Sequence, residues 1–414
     1  MMLDSEILHF HEGGKIKICP KRDVKTKTAL SIAYTPGVAL PCKLIHEQPE
    51  LAFKYTAKSN LVAVISNGTA VLGLGNIGAI ASKPVMEGKS VLYKSFGGVD
   101  SIDIEVDESN PDKFIETVER IACSFGGINL EDIKAPECFY IEEELKKRCD
   151  IPVMHDDQHA TAIISGAGLQ NAAFISGKKI EQMKVIIVGA GAAGIASGRF
   201  YKTLGVENII MFDSKGVLHK GRNNLNAYKQ EFAIDENISL EDALKGADMF
   251  LGLSRPALLT QKMVRSMKKN PIIFALANPE PEIMPDLAKE VRDDLIIGTG
   301  RSDFANQINN LISFPHLFRG ALDTHAKEIN EDMKKAASEA IAKRAREPIS
   351  KELEDIIGKN EFGREYILPS PFDKELLVDV ASAVADAAIK SGVARIKLDM
   401  DEYRAHLKEF IKSL

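Results

Sequence analysis

The stretch KVIIVGAGAAGIASGRFYKTLGVENIIMFD, residues 184–213, decides the fold. It opens on a short apolar run and closes that run with Gly189, Gly191 and Gly194 in the spacing G-x-G-x-x-G. Ile195, Ala196, Phe200, Tyr201 and Leu204 then recur at helical spacing. A second apolar run, 207–213, ends in Asp213, 19 positions after Gly194. Strand, glycine turn, helix, strand and acid come in the order of a dinucleotide fingerprint. Glycines allow a tight turn and close backbone approach, the helix N-terminus faces a pyrophosphate, and the acid reaches the adenosine ribose. Gly189, Gly191, Ala192, Ala193 and Gly194 are therefore the candidate cradle, and Asp213 the candidate ribose contact. The bland alternative is a glycine-rich turn that binds nothing.

The alternation continues outward from this stretch. A helix over 239–247 opens with a Ser-x-x-Asp capping box. Strands over 248–254, 271–278 and 294–300 alternate with helices over 260–269 and 286–292. Short apolar strands separated by helices indicate a doubly wound parallel sheet. Beyond 320 the pattern turns helical, at 326–345 and 378–392, as expected of packing helices. Before about 160 lies a second α/β unit, with strands expected at 61–66 and 101–106 and a helix over 111–125 that Pro111 can start. The expected division is residues 1–160 for substrate and metal, 161–330 for a Rossmann-like dinucleotide domain, and 331–414 for a helical C-terminal extension.

A second G-x-G-x-x-G occurs at Gly73, Gly75 and Gly78. Its context is weaker. The segment NGTAVLG reads as a hairpin turning at Asn-Gly, and Pro84 is expected to break any helix that follows. Glycines for close packing beside an active site are the better account of this run.

Three clusters in the first unit carry chemistry. AYTPGVALPCK (33–43) holds Tyr34 ahead of a Pro-Gly turn, and SKPVMEGKSVLYK (82–94) holds Lys89. NLEDI (129–133) and MHDDQHATA (154–162) hold Glu131, Asp132, Asp156 and Asp157. Carboxylates from two segments, with no cysteine cluster nearby, suit a hard cation such as Mg2+ or Mn2+. His155 and His159, four apart, leave a Zn2+ or Fe2+ site open as the alternative. Each acidic pair alone would be a solvated loop, Lys89 alone a surface charge, and Tyr34 alone a half-buried ring.

Together these motifs resemble the malic enzymes, of the short, prokaryote-like type, from about residue 25 to about 395. The resemblance rests on Y-T-P-G-V-A, N-G-T-A-V-L-G-L-G-N-I-G, P-V-M-E-G-K, L-E-D-I, H-D-D-Q-H-A-T-A, V-G-A-G-A-A-G, A-N-P-E-P-E and T-G-R-S-D-F-A-N-Q-I-N-N. It implies NAD(P)-dependent, divalent-metal-dependent oxidative decarboxylation of L-malate to pyruvate and CO2. It implies that Tyr34 and Lys89 are the catalytic pair, with Asp156 a carboxylate partner of the lysine. Glu131, Asp132 and Asp157 match the metal ligands. Asn278 and Asn310 match asparagines that contact substrate and nicotinamide, with Asn309 beside them. The large malic enzymes have a substrate-clamping arginine in the G-L-G segment where this chain has Ala70, which leaves the C1 carboxylate of malate to the metal, the asparagines or a backbone nest. The long relatives carry an acetyl-transferase-like extension, for which no room is expected here.

In the implied mechanism Lys89 removes the hydroxyl proton as hydride leaves C2, and Tyr34 protonates C3 after CO2 departs. A free lysine titrates near about 10.4, so this role calls for a downward shift by burial or by the cation. Asp213 favours NAD, because it would repel a 2′-phosphate. Lys215, Lys220 and Arg222 nearby would neutralise one, and tip the expectation to NADP. Two rival readings remain: an NAD(P)-sensing regulatory protein without turnover, or another lysine-dependent two-domain dehydrogenase.

The totals agree with an enzyme of this kind. The 414 residues allow two or three domains, with 45% hydrophobic and 27% charged residues. A net charge of −6 offers no basic field for nucleic acid. Five cysteines (19, 42, 123, 138, 149) are scattered without a C-x-x-C, as expected of reduced thiols in a cytoplasmic protein. The opening MMLDSEILHF lacks the basic start of a secretory signal, and no apolar run approaches a membrane span. The partner expectation is a small-molecule substrate and a second copy in a homodimer, without nucleic acid or membrane.

Overall fold

The computed structural model describes residues 4–414. Its strands form two sheets. The first, β1 (Leu61–Ser66), β2 (Asp100–Glu105), β3 (Gly127–Leu130) and β4 (Val153–His155), is wholly parallel in the order β2-β1-β3-β4. The second holds β5 (Lys184–Val188), β6 (Asn208–Asp213), β7 (Gly216–Val217), β8 (Met249–Gly252), β9 (Ile272–Ala275) and β10 (Ile296–Thr299). Its order is β10-β9-β8-β5-β6-β7, parallel except for the short β7. Chain order therefore reverses beside β1 in one sheet and beside β5 in the other. Ligands of such sheets sit outside the carboxyl ends of the strands at these reversals.

The second sheet is covered on both faces. Along β5, Val185 and Ile187 enter one core cluster, while Ile186 and Val188 enter the other. That is the period of two in a strand buried on both sides, and it explains the unbroken apolar run in the sequence. The helix Asp156–Ser176 joins the two sheets. It buries residues all round its circumference, among them Ile163, Ile164, Ala167 and Leu169. A helix apolar on every side belongs in a core rather than on a surface. Its first turn carries Asp156 and Asp157, so the link between the sheets also aims two carboxylates.

Two local expectations fail for physical reasons. Pro84 does not break its helix, which runs from Ala79 to Gly97. The carbonyl that proline leaves unpaired is that of Ile80, a residue 80% exposed, and water can serve it there. The 67–78 segment does not turn at Asn-Gly. Its bridge pairs Val71 with Gly75, and the turn lies at Leu72, whose φ is +48°. Gly68 instead packs against the backbone of Gly78, where a Cβ would meet a carbonyl oxygen at 2.2 Å.

The C-terminal helices return to the first sheet. Helix Phe314–Asp323 packs against the Lys89 helix, with Gly97 facing Pro315. Glu331–Arg344 lies on the joining helix, and Glu375–Lys390 packs against both of these C-terminal helices. The N-terminal arm is different. From residue 4 to 60 no residue is buried, and Phe10, Leu30, Ile32, Tyr34 and Leu40 stand more than half exposed.

Candidate active site

The carboxyl edge of the first sheet gathers the acids. β3 runs directly into Glu131 and Asp132, and β4 into Asp156 and Asp157. Ligand oxygens of Glu131, Asp132 and Asp157 lie within 4.8 Å of one another. Asp157 Oδ2 accepts the Asp132 amide at 2.9 Å, and the glycine loop straps the turn through the Ala70 amide, which donates to the Asp132 carbonyl at 2.9 Å. Ala70 thus spends its amide on holding the turn that carries Glu131 and Asp132. The strap is what the second glycine run does.

Lys89 reaches this cluster from its own helix. Its Nζ donates to Asp156 Oδ2 at 2.5 Å and to Glu131 Oε1 at 3.1 Å. The Phe314 ring lies 4.0 Å from the ammonium. Asn129 donates to Glu131 Oε2 at 2.7 Å and is itself fixed by the Tyr93 hydroxyl at 2.7 Å. Asn310 Nδ2 donates to Asp156 Oδ2 at 3.0 Å, and Thr161 holds the other end of that amide. Asn309 caps the turn after it through the Leu311 amide.

The electrostatics call for positive charge. Burial, with Asp157 beside it, pushes Asp132 up to about 7. Burial and three carboxylate neighbours also raise Glu131, against the pull of Lys89. Asp132 Oδ2 is buried without a hydrogen-bond partner. Three crowded carboxylates, one with an orphaned oxygen, fit a hard divalent cation. The downward shift expected for Lys89 is not found in this chain by itself. Burial lowers its pKa, but Asp156 and Glu131 outweigh that and raise it.

The histidines do not join the metal cluster. His159 Nε2 lies 2.9 Å from Glu142, and its Nδ1 lies 3.2 Å from Lys334. Burial drops its pKa to about 4. His155 stands behind Asp157 at 3.0 Å. Glu142 also accepts the His155 amide at 3.0 Å, so it anchors the turn that presents Asp156 and Asp157. Glu142 and Phe314 lie outside every motif, and Asn129 and Tyr93, inside the quoted stretches, carry no signal of a role; only the fold brings the four to the site.

The second sheet supplies a cavity at its reversal point, of about 610 Å³. Gly189, Gly191 and Ile195 line it from the fingerprint, Ser254 and Arg255 from the end of β8, and Asp213 and Lys229 from the β6 side. A Cβ on Gly189 would meet the Leu253 carbonyl, and one on Gly194 would overlap the Gly189 carbonyl. Gly191 faces open space, the place a pyrophosphate would take. Ala192 and Ala193 begin the helix behind it, with no side chain capping its amides. The fit to a dinucleotide is thus a matter of backbone. Ala135 and Pro136, a few residues beyond Asp132, line the same cavity and tie the two sites together. Asn278 faces the first unit's glycine loop, with its carbonyl 3.4 Å from a Cβ built on Gly73, and its side chain lies against Gly300.

Tyr34 is not brought to this site within the chain. It ends the arm helix Lys27–Ala33 and is 70% exposed. No helix among the described residues is long and apolar enough to cross a membrane.

The comparisons agree with this geometry. Residues 13–146 match the family model for the malic enzyme N-terminal domain, and residues 159–389 that for the malic enzyme NAD binding domain. An NADP-dependent malic enzyme of Escherichia coli is 54% identical over 420 residues, covering 99% of this chain and 55% of its own length. The chain therefore spans about half the length of that relative. An NADP-dependent malic enzyme of Halomonas elongata is 54% identical over 387 residues, 92% of each chain. The crystal structure of malic enzyme from Pyrococcus horikoshii superposes with a TM-score of 0.92 at 42% identity, over 99% of this chain and 96% of that one. With the two family models matched over most of its length, this chain belongs to the malic enzyme family.

Proposed function

We propose that the protein oxidises L-malate with NADP+ (or NAD+) and releases pyruvate and CO2. The observation that carries this is the buried Lys89, bonded to Asp156 and Glu131 beside three converging carboxylates. Residues 1–160 supply the substrate and metal groups, 161–330 the cofactor groups, and 331–414 the helical support. Glu131, Asp132 and Asp157 would hold Mg2+ or Mn2+, which supplies Lewis-acid charge for the alkoxide and the enolate.

Lys89 sits where it can take the proton of the C2 hydroxyl as hydride leaves C2 for the nicotinamide. Its ammonium must first shed a proton. Offsetting the charge of Glu131 removes part of what holds that proton in place. Asp156, with its second oxygen unbonded, is the next acceptor along the path. The β-keto acid then loses CO2, and the enolate that remains takes a proton at C3 from a tyrosine hydroxyl. Asn278 and Asn310 orient substrate and nicotinamide at the seam between the two sheets.

Tyr34 enters from a second copy. The arm that carries it has no core of its own, and Leu72 and Leu74 leave an apolar rim exposed on the glycine loop beside the metal turn. A two-fold homodimer in which each arm covers the other chain's rim would bury both surfaces at once.

The first assay mixes the protein with L-malate, Mn2+ and either dinucleotide, and follows nicotinamide reduction and pyruvate together. Equal appearance of both, abolished by a chelator, is the expected result. Reduced cofactor with oxaloacetate in place of pyruvate would remove the decarboxylation. Turnover without added cation, in chelator, would remove the metal assignment.

A further inference from the structure

Besides Asn278, the motif A-N-P-E-P-E carries a fully buried acid, Glu282. Its Oε1 accepts the Ser254 amide at 2.9 Å, and its Oε2 accepts the Ala277 amide at 3.1 Å. Ser254 follows β8 and Ala277 follows β9, so one carboxylate ties together two loops that leave the carboxyl edge of the second sheet. The main chain extends the tie, with the Glu282 carbonyl accepting the Leu259 amide at 3.0 Å. Gly252 makes room for it, since a Cβ there would lie 2.4 Å from the Glu282 carboxyl carbon.

No cation pairs with this carboxylate among the described residues. Elsewhere around the second sheet, Asp213 pairs with Arg222 and Lys229 and also accepts the Lys215 amide, and Asp248 pairs with Lys178. A buried carboxylate without a cation is costly, and glutamine or methionine would fill the same space at less cost. What a carboxylate alone supplies is two accepting ends at once, because a glutamine amide accepts at one end only. Both ends serve the site. The residue after Ala277 is Asn278, exposed and facing the glycine loop of the first unit. The residue before Ser254 is Leu253, whose carbonyl backs the cofactor turn so closely that a Cβ on Gly189 would meet it at 2.3 Å.

We propose that Glu282 is a positioning residue for the reaction: by holding both loops it fixes Asn278 relative to the glycine turn, where substrate and nicotinamide must meet. It touches neither ligand and acts through Asn278. The inference rests on the malate reading and on Asn278 as a contact to substrate and nicotinamide.

The test is a double-mutant cycle in malate oxidation at saturating Mn2+ and dinucleotide. Glu282→Gln leaves one of the two amides without an acceptor, and kcat is expected to fall about tenfold or more, the weight of a hydrogen bond to a charged group. Asn278→Ala lowers kcat by itself. In that background Glu282→Gln adds less than about twofold, because the side chain it would aim is gone. A merely structural role would multiply the two losses. Mn2+ affinity, read by electron paramagnetic resonance, stays at the wild-type value, because Glu131, Asp132 and Asp157 stand on the other sheet. Gly252→Ala displaces the carboxylate without removing it and reproduces the fall in kcat. Unchanged kcat in Glu282→Gln, or losses that multiply, overturns the positioning role. So does unfolding of both Glu282→Gln and Gly252→Ala below the assay temperature, which would leave Glu282 a support of the fold alone. Wild-type protein that turns over no malate overturns the malate reading and this inference together.

Discussion

Lys89 shows how far a residue's chemistry depends on its neighbours. Burial alone would strip its charge, yet Asp156 and Glu131 hold the charge in place. His316 is the opposite case. It is buried with both ring nitrogens unpartnered, and burial drops its pKa to about 3. Above the ordinary histidine value near about 6.5 it is neutral folded or unfolded and has no effect on stability. Below that value the unfolded chain takes up a proton that the folded chain refuses. Stability therefore falls with pH between about 6.5 and about 3, by up to about 1.4 kcal/mol per unit. His316→Phe is expected to flatten this decline, as measured by urea unfolding at stepped pH. Parallel declines in variant and wild type would show that His316 is not the group responsible.

The element proposed to hold the cofactor is the turn from β5 into the helix Ala192–Thr203. Its three glycines do different work, and substitution should separate them. Gly194→Ala drives a methyl into the Gly189 carbonyl, so the turn must open. Both thermal stability and dinucleotide binding should fall. Gly191→Ala meets nothing in the chain, so its melting temperature should hold. Its methyl instead enters the cavity, and dinucleotide affinity should drop. If Gly191→Ala bound as tightly as wild type, the pyrophosphate would lie elsewhere. The same lesson covers Gly73, Gly75 and Gly78, whose identical spacing forms a strap over the metal turn because no open strand–helix turn surrounds it.

The whole molecule raises the question of where Tyr34 acts. In a homodimer with exchanged arms, each site takes Lys89 from one chain and Tyr34 from the other. Tyr34→Phe and Lys89→Met should each be inactive alone. Removing Lys89 leaves buried carboxylates uncompensated, a cost of about 3–5 kcal/mol, so the mixture is handled with Mn2+ present. Refolded together in equal amounts, half the dimers are hybrids, and each hybrid has one intact site. About a quarter of wild-type activity should return, by that counting over a two-fold dimer. No recovery in verified hybrids would place both residues in one chain's site, and a monomeric mass in sedimentation would remove the exchange altogether.

Much of this protein is written in local pattern. The five parallel strands from β5 to β10, with β7 as a short antiparallel addition, follow from apolar runs that must be covered on both faces. The dinucleotide turn follows from its glycines, two of which, Gly189 and Gly194, leave no room for a Cβ. The acids of the metal cluster could be picked out as residues, because they end strands that converge. What only the tertiary structure decided was environment. Pro84 could stay helical because Ile80 faces water. Asp213 is already paired because Arg222 and Lys229, 9 and 16 positions along, fold back on it. Lys89 stayed charged because helix, β3 and β4 bring three elements to one point. Tyr34 carries the right motif in a segment with nothing of its own to pack against. Periodicity and backbone stereochemistry act over a few residues and can be read along a chain, whereas charge state, hydrogen-bond occupancy and exposure depend on groups that only folding brings together.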